Sequence, residues 1–196
     1  MSSASILKVN HLPVDVPELW VLDHHRAKPW EGPADDEYRS RAGHLVYRTK
    51  YRRDSEAARM LKFAIQESTD CLPRRSMARR ADLIASLPMS ETNKGALEVI
   101  AQGLGKALNV RVLPGEIKWL DPNSPPIMKN TPLPDRPETI AGKLEANPIA
   151  GAVVLLVDDL VQTGSSLGES VRALKVAGAS HVVCFAATLV GGYSAN

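Results

Sequence analysis

The chain has little cysteine, few aromatic residues and no long apolar run. Among its 196 residues only Cys71 and Cys184 are cysteines. Two thiols do not indicate an oxidising compartment, and they exclude a cysteine-based zinc ribbon within this chain. Three Trp, four Tyr and two Phe are scattered along the sequence. They form no visible platform for stacking single-stranded bases, and Trp20, Trp30 and Trp119 read as packing residues. No unbroken apolar run exceeds about seven residues, too short for a transmembrane helix. The opening MSSASILKVN lacks the basic stretch and apolar run of a signal peptide. A cytoplasmic protein with no membrane partner is expected. Gly-x-x-x-x-Gly-Lys-Ser/Thr is absent, and no Gly-x-Gly-x-x-Gly follows a strand-like run. Walker-type and Rossmann nucleotide sites are therefore not expected.

What is present is ordinary for one globular domain: 44% hydrophobic and 23% charged residues. The net charge of +2 conceals an uneven distribution. Residues 1–40 hold four Lys/Arg against seven Asp/Glu, whereas residues 41–80 hold eleven against four. Such a basic block suits a phosphate-rich partner, nucleic acid included, or a solvated surface around an amphipathic helix. Ala57, Leu61, Ala64 and Ile65 give that helix its apolar face.

Strand-like and helix-like segments alternate. Residues 1–43 read as an N-terminal arm or hood segment with a short strand at 19–22, and residues 44–196 as the α/β domain. Alternation at His44, Leu45, Val46 and Tyr47 predicts a strand over 44–51. Asp54 then caps a helix to about Glu67. Further strands are expected at 83–87, 110–113, 153–157 and 181–188. Helices are expected at 95–108 and 166–177, the last stopped by Gly178. Residues 114–150 contain eight of the fourteen prolines and read mostly as loop. The pattern predicts a central, mostly parallel sheet flanked by helices.

The chemistry concentrates in residues 153–167, VVLLVDDLVQTGSSL. A buried strand runs into Asp158 and Asp159, and a short loop leads to a helix. Gln162, Thr163, Gly164, Ser165 and Ser166 supply hydroxyls, a glycine and successive backbone N–H groups, a nest suited to a phosphate monoester. The paired acids suit a ribose diol or a hydrated magnesium ion. The same pattern also suits a plain strand-to-helix turn with a capped helix, and the residues alone leave both readings open.

This segment resembles the phosphoribosyl-pyrophosphate signature of the type I phosphoribosyltransferases: a hydrophobic run, two acids, then a threonine/glycine phosphate loop. The resemblance covers roughly residues 44–190. It is greatest to the ComF-like branch, associated with DNA uptake, through Leu-Pro-Met-Ser after residue 86, the helix at 95–108 and a Tyr/Lys/Arg-rich strand at 47–54. It implies a type I phosphoribosyltransferase-like fold with a small hood, Mg2+ as cofactor and phosphoribosyl pyrophosphate as donor. Asp158 and Asp159 would hold the ribose hydroxyls, directly or through metal-bound water. Thr163, Gly164, Ser165 and Ser166, with Gln162 at the edge, would wrap the 5-phosphate. Residues 88–95 would form the pyrophosphate loop, with Ser90 and Lys94 as contacts. Lys94 and the basic residues at 48–53 would offset leaving-group charge. Residues 114–145 would contain a closing loop, with Lys129 and Arg136 as its cations.

The sequence departs from the family pattern at Gln162, where threonine is usual, and at Ser166, which replaces a later threonine. It also departs at Lys94-Gly95, which stands in for an arginine-glycine pair. The implied reaction transfers 5-phosphoribosyl to a nitrogenous acceptor with release of pyrophosphate. The alternative is a non-catalytic protein that binds phosphorylated ribose or nucleotides in a DNA-handling role. A homodimer is a further candidate assembly. Asp23-His24-His25 resembles a phosphoesterase metal motif superficially, but only Asp15 lies upstream to help it, and a loop histidine pair is the expected reading.

Overall fold

Val, Leu and Ile crowd into short runs that bury best as parallel strands with both faces covered. The computed structural model describes residues 6–9, 16–25, 39–90, 93–123 and 131–190. Its main sheet contains β1 (Leu7–Val9), β2 (Leu19–His24), β3 (Leu83–Ser86), β4 (Arg111–Leu113), β7 (Val153–Val161) and β8 (His181–Leu189). Their order is β1-β2-β8-β7-β3-β4. Every neighbouring pair is parallel except β1 with β2. A second, two-stranded antiparallel sheet joins β5 (Ile117–Trp119) to β6 (Leu144–Ala146). This is the expected class: a central, mostly parallel sheet flanked by helices, consistent with the type I phosphoribosyltransferase fold.

Helices α1 (Arg41–Arg52), α2 (Ser55–Ser68) and α3 (Lys94–Leu108) cover one face of the sheet, where Leu45, Leu61, Ile65, Ile100 and Leu104 pack on Leu155, Val157 and Phe185. The other face packs Leu156, Val154 and Cys184 against Leu167, Val171 and Leu174 of α5 (Ser165–Val176), Ile140 of α4 (Arg136–Ile140) and Leu144 of β6. Burial pushes the Cys184 thiol above its ordinary value, as suits a buried core thiol.

The strand expected at 44–51 is instead the body of α1. Ser40 caps this helix by accepting a hydrogen bond from Gly43 N at 3.0 Å. Ala42, Leu45, Val46 and Thr49 are buried at helical spacing. The alternating quartet His44–Tyr47 is too short to outweigh that stripe. One feature behind the branch resemblance, a strand at 47–54, is therefore a helix end and its turn. The expected boundary at residue 44 falls within the first turn of α1. Gly43 allows the approach of β2 to this helix: a Cβ there would lie 2.1 Å from the His25 carbonyl oxygen.

Other expectations hold with small changes of length. Asp54 caps α2 through Glu56 N and Ala57 N. Strand β7 runs four residues beyond the expected end at 157, so both acids lie inside it. Residues 114–150 are less loop-like than expected, because β5, β6 and α4 occupy parts of them. Proline at the second position of α4 requires no N–H there. Residues 26–38, 124–130 and 191–196, which include parts of the expected hood, Trp30 and Lys129, lie outside the described residues.

Glu169 ties the β5–β6 pair to α5. Its carboxylate accepts from Leu144 N at 3.2 Å and from Arg172 Nε and Nη2 at 2.8 and 2.7 Å. Burial opposes its charge, but Arg172 and the Leu144 and Gly142 N–H groups outweigh it and hold the carboxyl below the usual glutamate value. Such a group stabilises the fold above its unfolded pKa, and the contribution disappears as pH falls through the folded value. Glu169→Ala should lower the unfolding free energy by about 2 kcal/mol near neutrality. Urea titrations should show that deficit shrinking from about pH 5 to about pH 3.

Candidate functional site

After β3 the chain passes outward through α3 to the edge strand β4, then returns to place β7 on the other side of β3. Helix α3 follows β3 on one face, and α5 follows β7 on the other. The strand order thus reverses between β3 and β7. In open parallel sheets, ligands bind beyond the carboxyl ends of the strands at such a switch point. Residues 88–90, 93–95 and 158–166 lie there.

Gly164 turns the chain into α5 with φ +77°, a left-handed conformation that glycine adopts without a Cβ clash. Its carbonyl already accepts from Gly168 N at 2.8 Å. Thr163 Oγ1 and Ser165 Oγ lie 2.9 Å apart, joined by a hydrogen bond. Arg136, Asp158, Gln162, Thr163, Gly164, Ser165 and Ser166 line one cleft of about 90 Å³. The first-turn N–H groups of α5 and its dipole favour an anion at this end. The structure thus brings the expected phosphate-loop residues together with Asp158.

Asp159 departs from that group. Successive strand residues face opposite sides, and Asp159 points toward α1, where its Oδ2 lies 2.7 Å from Lys50 Nζ. Both partners are largely buried, at 6% and 18% side-chain exposure. Burial lowers the Lys50 pKa, but the Asp159 carboxylate outweighs it and lifts the ammonium above the usual lysine value. Burial also pushes the Asp158 carboxyl well above the usual carboxylate range, and the neighbouring Asp159 charge adds to it. The N–H of Asp159 donates to Asp158 Oδ1 at 2.7 Å and opposes that rise.

The two acids therefore do not converge on one ion. Among the described residues, no three His, Cys, Asp or Glu side chains group as metal ligands. Of the two acids only Asp158 lines the cleft; burial favours its neutral form, so it would share magnesium with substrate phosphates only after giving up that proton.

On the β3 side, Ser90 and Lys94 are exposed. Ser90 N and Oγ donate to Asn93 Oδ1 at 2.6 and 3.0 Å, and Lys94 N donates to the Ser90 carbonyl at 2.9 Å. Residues 91–92 of this loop lie outside the described residues. The Asp23-His24-His25 run closes on itself and on β8. Asp23 Oδ1 accepts from His24 N, and His25 Nδ1 lies 3.2 Å from Thr188 Oγ1. Thr188 Oγ1 in turn donates to the Asp159 carbonyl.

Several cations of the 41–80 block are engaged within the chain. Arg48 pairs with Asp54, Arg59 with Glu56 and Lys50 with Asp159. Arg79 donates to the Thr69 and Leu72 carbonyls. Arg74, Arg75 and Arg80 are exposed. The sequence pointed to residues 48–53 as a group. Only the position of Lys50 on α1 singles it out.

No family model and no curated protein matches this chain. Similar solved structures include the allosteric regulatory enzyme of purine biosynthesis, at 22% identity and TM-score 0.39, covering 54% of this chain and 22% of that one. Glutamine phosphoribosylpyrophosphate amidotransferase from B. subtilis is 20% identical with TM-score 0.40, covering 64% and 24%. Adenine phosphoribosyltransferase from Leishmania tarentolae is 12% identical with TM-score 0.43, covering 83% and 79%. This chain spans less than a quarter of the length of the first two structures. At these identities and TM-scores the likeness identifies neither a substrate nor a branch.

Lys50→Met should leave the Asp159 carboxylate buried without its partner and cost about 3–5 kcal/mol of stability. Adding Asp159→Leu should recover much of that loss, because both buried charges are then gone. Urea unfolding of the two single variants and the double variant checks this.

Proposed function

We propose that the chain is a phosphoribosyltransferase that moves 5-phosphoribosyl from phosphoribosyl pyrophosphate to a nitrogenous acceptor. The observation that carries this reading is the cleft beyond β7, where a phosphate-sized nest and the Asp158 carboxyl share one wall. A phosphorylated sugar matches that pairing: the nest takes the 5-phosphate and the carboxyl accepts from ribose hydroxyls.

The C1–oxygen bond of the donor breaks, and its electron pair leaves on pyrophosphate. The acceptor nitrogen forms the new bond to C1, and its proton passes to the departing pyrophosphate. The N–H groups of residues 164–166 and the Thr163 hydroxyl hold the 5-phosphate and fix the sugar's orientation. Asp158 orients the ring from below. Lys94, exposed at the first turn of α3, would meet the leaving diphosphate on the β3 side. Asp158, once it has given up its proton, would hold magnesium together with the donor's phosphates, and the ion would supply charge neutralisation of that diphosphate. Asp159 and Lys50 form a neutral pair beneath the site, which keeps the second carboxylate from repelling phosphate.

A second reading is favoured by the β3 loop. Its Ser90 bonds are spent on Asn93, and Lys94 is exposed, so the grip on a leaving group is slight. On that reading the chain binds phosphorylated ribose or nucleotides without turnover. The ComF-like resemblance and the exposed arginines at 74, 75 and 80 would then place it in DNA handling.

Incubation with phosphoribosyl pyrophosphate, magnesium and a panel of bases and ammonia, with pyrophosphate release as readout, separates the two. Release dependent on one acceptor is expected. Tight donor binding without release for any acceptor would leave the binding reading in place. Thr163→Ala should weaken ribose 5-phosphate binding ten- to a hundred-fold, the worth of about 1.5–3 kcal/mol for a hydrogen bond to a charged group. Calorimetry measures this directly, and unchanged affinity would mean that the phosphate binds elsewhere.

A further inference from the structure

The structure gives Gln162, at the edge of the turn into α5, a specific partner. Arg136, the first residue of α4, reaches across to it: Nη1 donates to Gln162 Oε1 at 2.8 Å. The guanidinium is also held from behind, because Nε donates to the Thr131 carbonyl at 3.1 Å. Two of its five N–H donors are thereby used. The remaining three have no hydrogen-bond acceptor among the described residues, and the side chain lines the same cleft as Thr163, Gly164, Ser165 and Ser166. The chemistry of the contact orients the glutamine as well. A guanidinium only donates, so Gln162 must present its carbonyl oxygen to Arg136, leaving Nε2 as a donor.

We infer that Arg136 is a direct ligand of the phosphate monoester and that Gln162 is the positioning residue that aims it. This rests on the phosphate assignment made above and deepens it. The backbone nest supplies partial charges from one side of the cleft. Arg136 supplies a full positive charge from another, in a fork that matches two phosphate oxygens. Held by Gln162 and the Thr131 carbonyl, the guanidinium makes that rim of the cleft a charged clamp. The ligand class that gains most is a dianionic monoester attached to a small sugar.

Calorimetric titration of ribose 5-phosphate at several salt concentrations tests this on the full chain and three variants: Arg136→Met, Gln162→Leu and Thr163→Ala. Arg136→Met should weaken binding ten- to a hundred-fold and flatten its salt dependence. Gln162→Leu should weaken it less, because Thr131 still holds Nε. It also serves as the second variant if Arg136→Met does not fold, which thermal unfolding followed by circular dichroism reveals. Should Thr163→Ala bind weakly while Arg136→Met and Gln162→Leu bind like the parent, Arg136 is only a structural tie to Thr131. The clamp is then wrong and the phosphate assignment survives. No binding by the parent, or an unchanged Thr163→Ala, overturns both.

Discussion

Strand β7 pairs in parallel with β8 along most of its nine residues and, on its other edge, with β3 over Val154 to Val157. Everything at the candidate site follows from the longer of these, the pairing with β8, which continues past Val157 through Asp158 to Val161. It holds the strand straight past the last apolar residue of its first run and carries Asp158 and Asp159 into the sheet, at 8% and 4% exposure. The pleat then separates them, one to each face. A loop carrying the same two acids could turn both carboxylates toward one ligand, but a paired strand cannot.

Each acid is buried, so each must be answered. Asp159 is answered by Lys50, delivered by α1 from more than a hundred residues earlier in the chain. Asp158 is answered by the Asp159 N–H and by a rise in its own proton affinity. The result is a cleft in which an acid and an anion nest stand side by side with little mutual repulsion. Across the cleft, Arg136 adds positive charge through its bond to Gln162. Glu169 and Arg172 hold β6 against α5, the helix whose N-terminus forms the nest.

Segments whose local pattern and tertiary role agree were legible before any coordinates. Asp54 precedes an apolar stripe at helical spacing and caps α2. Residues 153–157 are apolar without a break and form the centre of the sheet. The α1 segment was misread because four alternating residues imitate a strand, while its decisive contacts lie elsewhere. The bond from Ser40 N to the His25 carbonyl, and the close approach of Gly43 to that same carbonyl, depend on β2 being in place. The short strands β5 and β6 were not legible because three residues of either cannot signal a period, and each forms only against the other.

The amino-acid sequence by itself determined the glycine-and-hydroxyl turn into α5, because its parts are neighbours along the chain. A glycine at positive φ, flanking hydroxyls and the first turn of a helix need only a few consecutive residues to assemble. It also determined that two acids would stand at the end of a buried strand. Only the tertiary structure decided which acid faces the cleft and which cation answers the other. Likewise, only folding decided that Arg136 meets Gln162. Those choices depend on where α1 and α4 come to rest against β7, and that is set by the packing of whole apolar faces, to which no single residue of either pair contributes a recognisable local pattern.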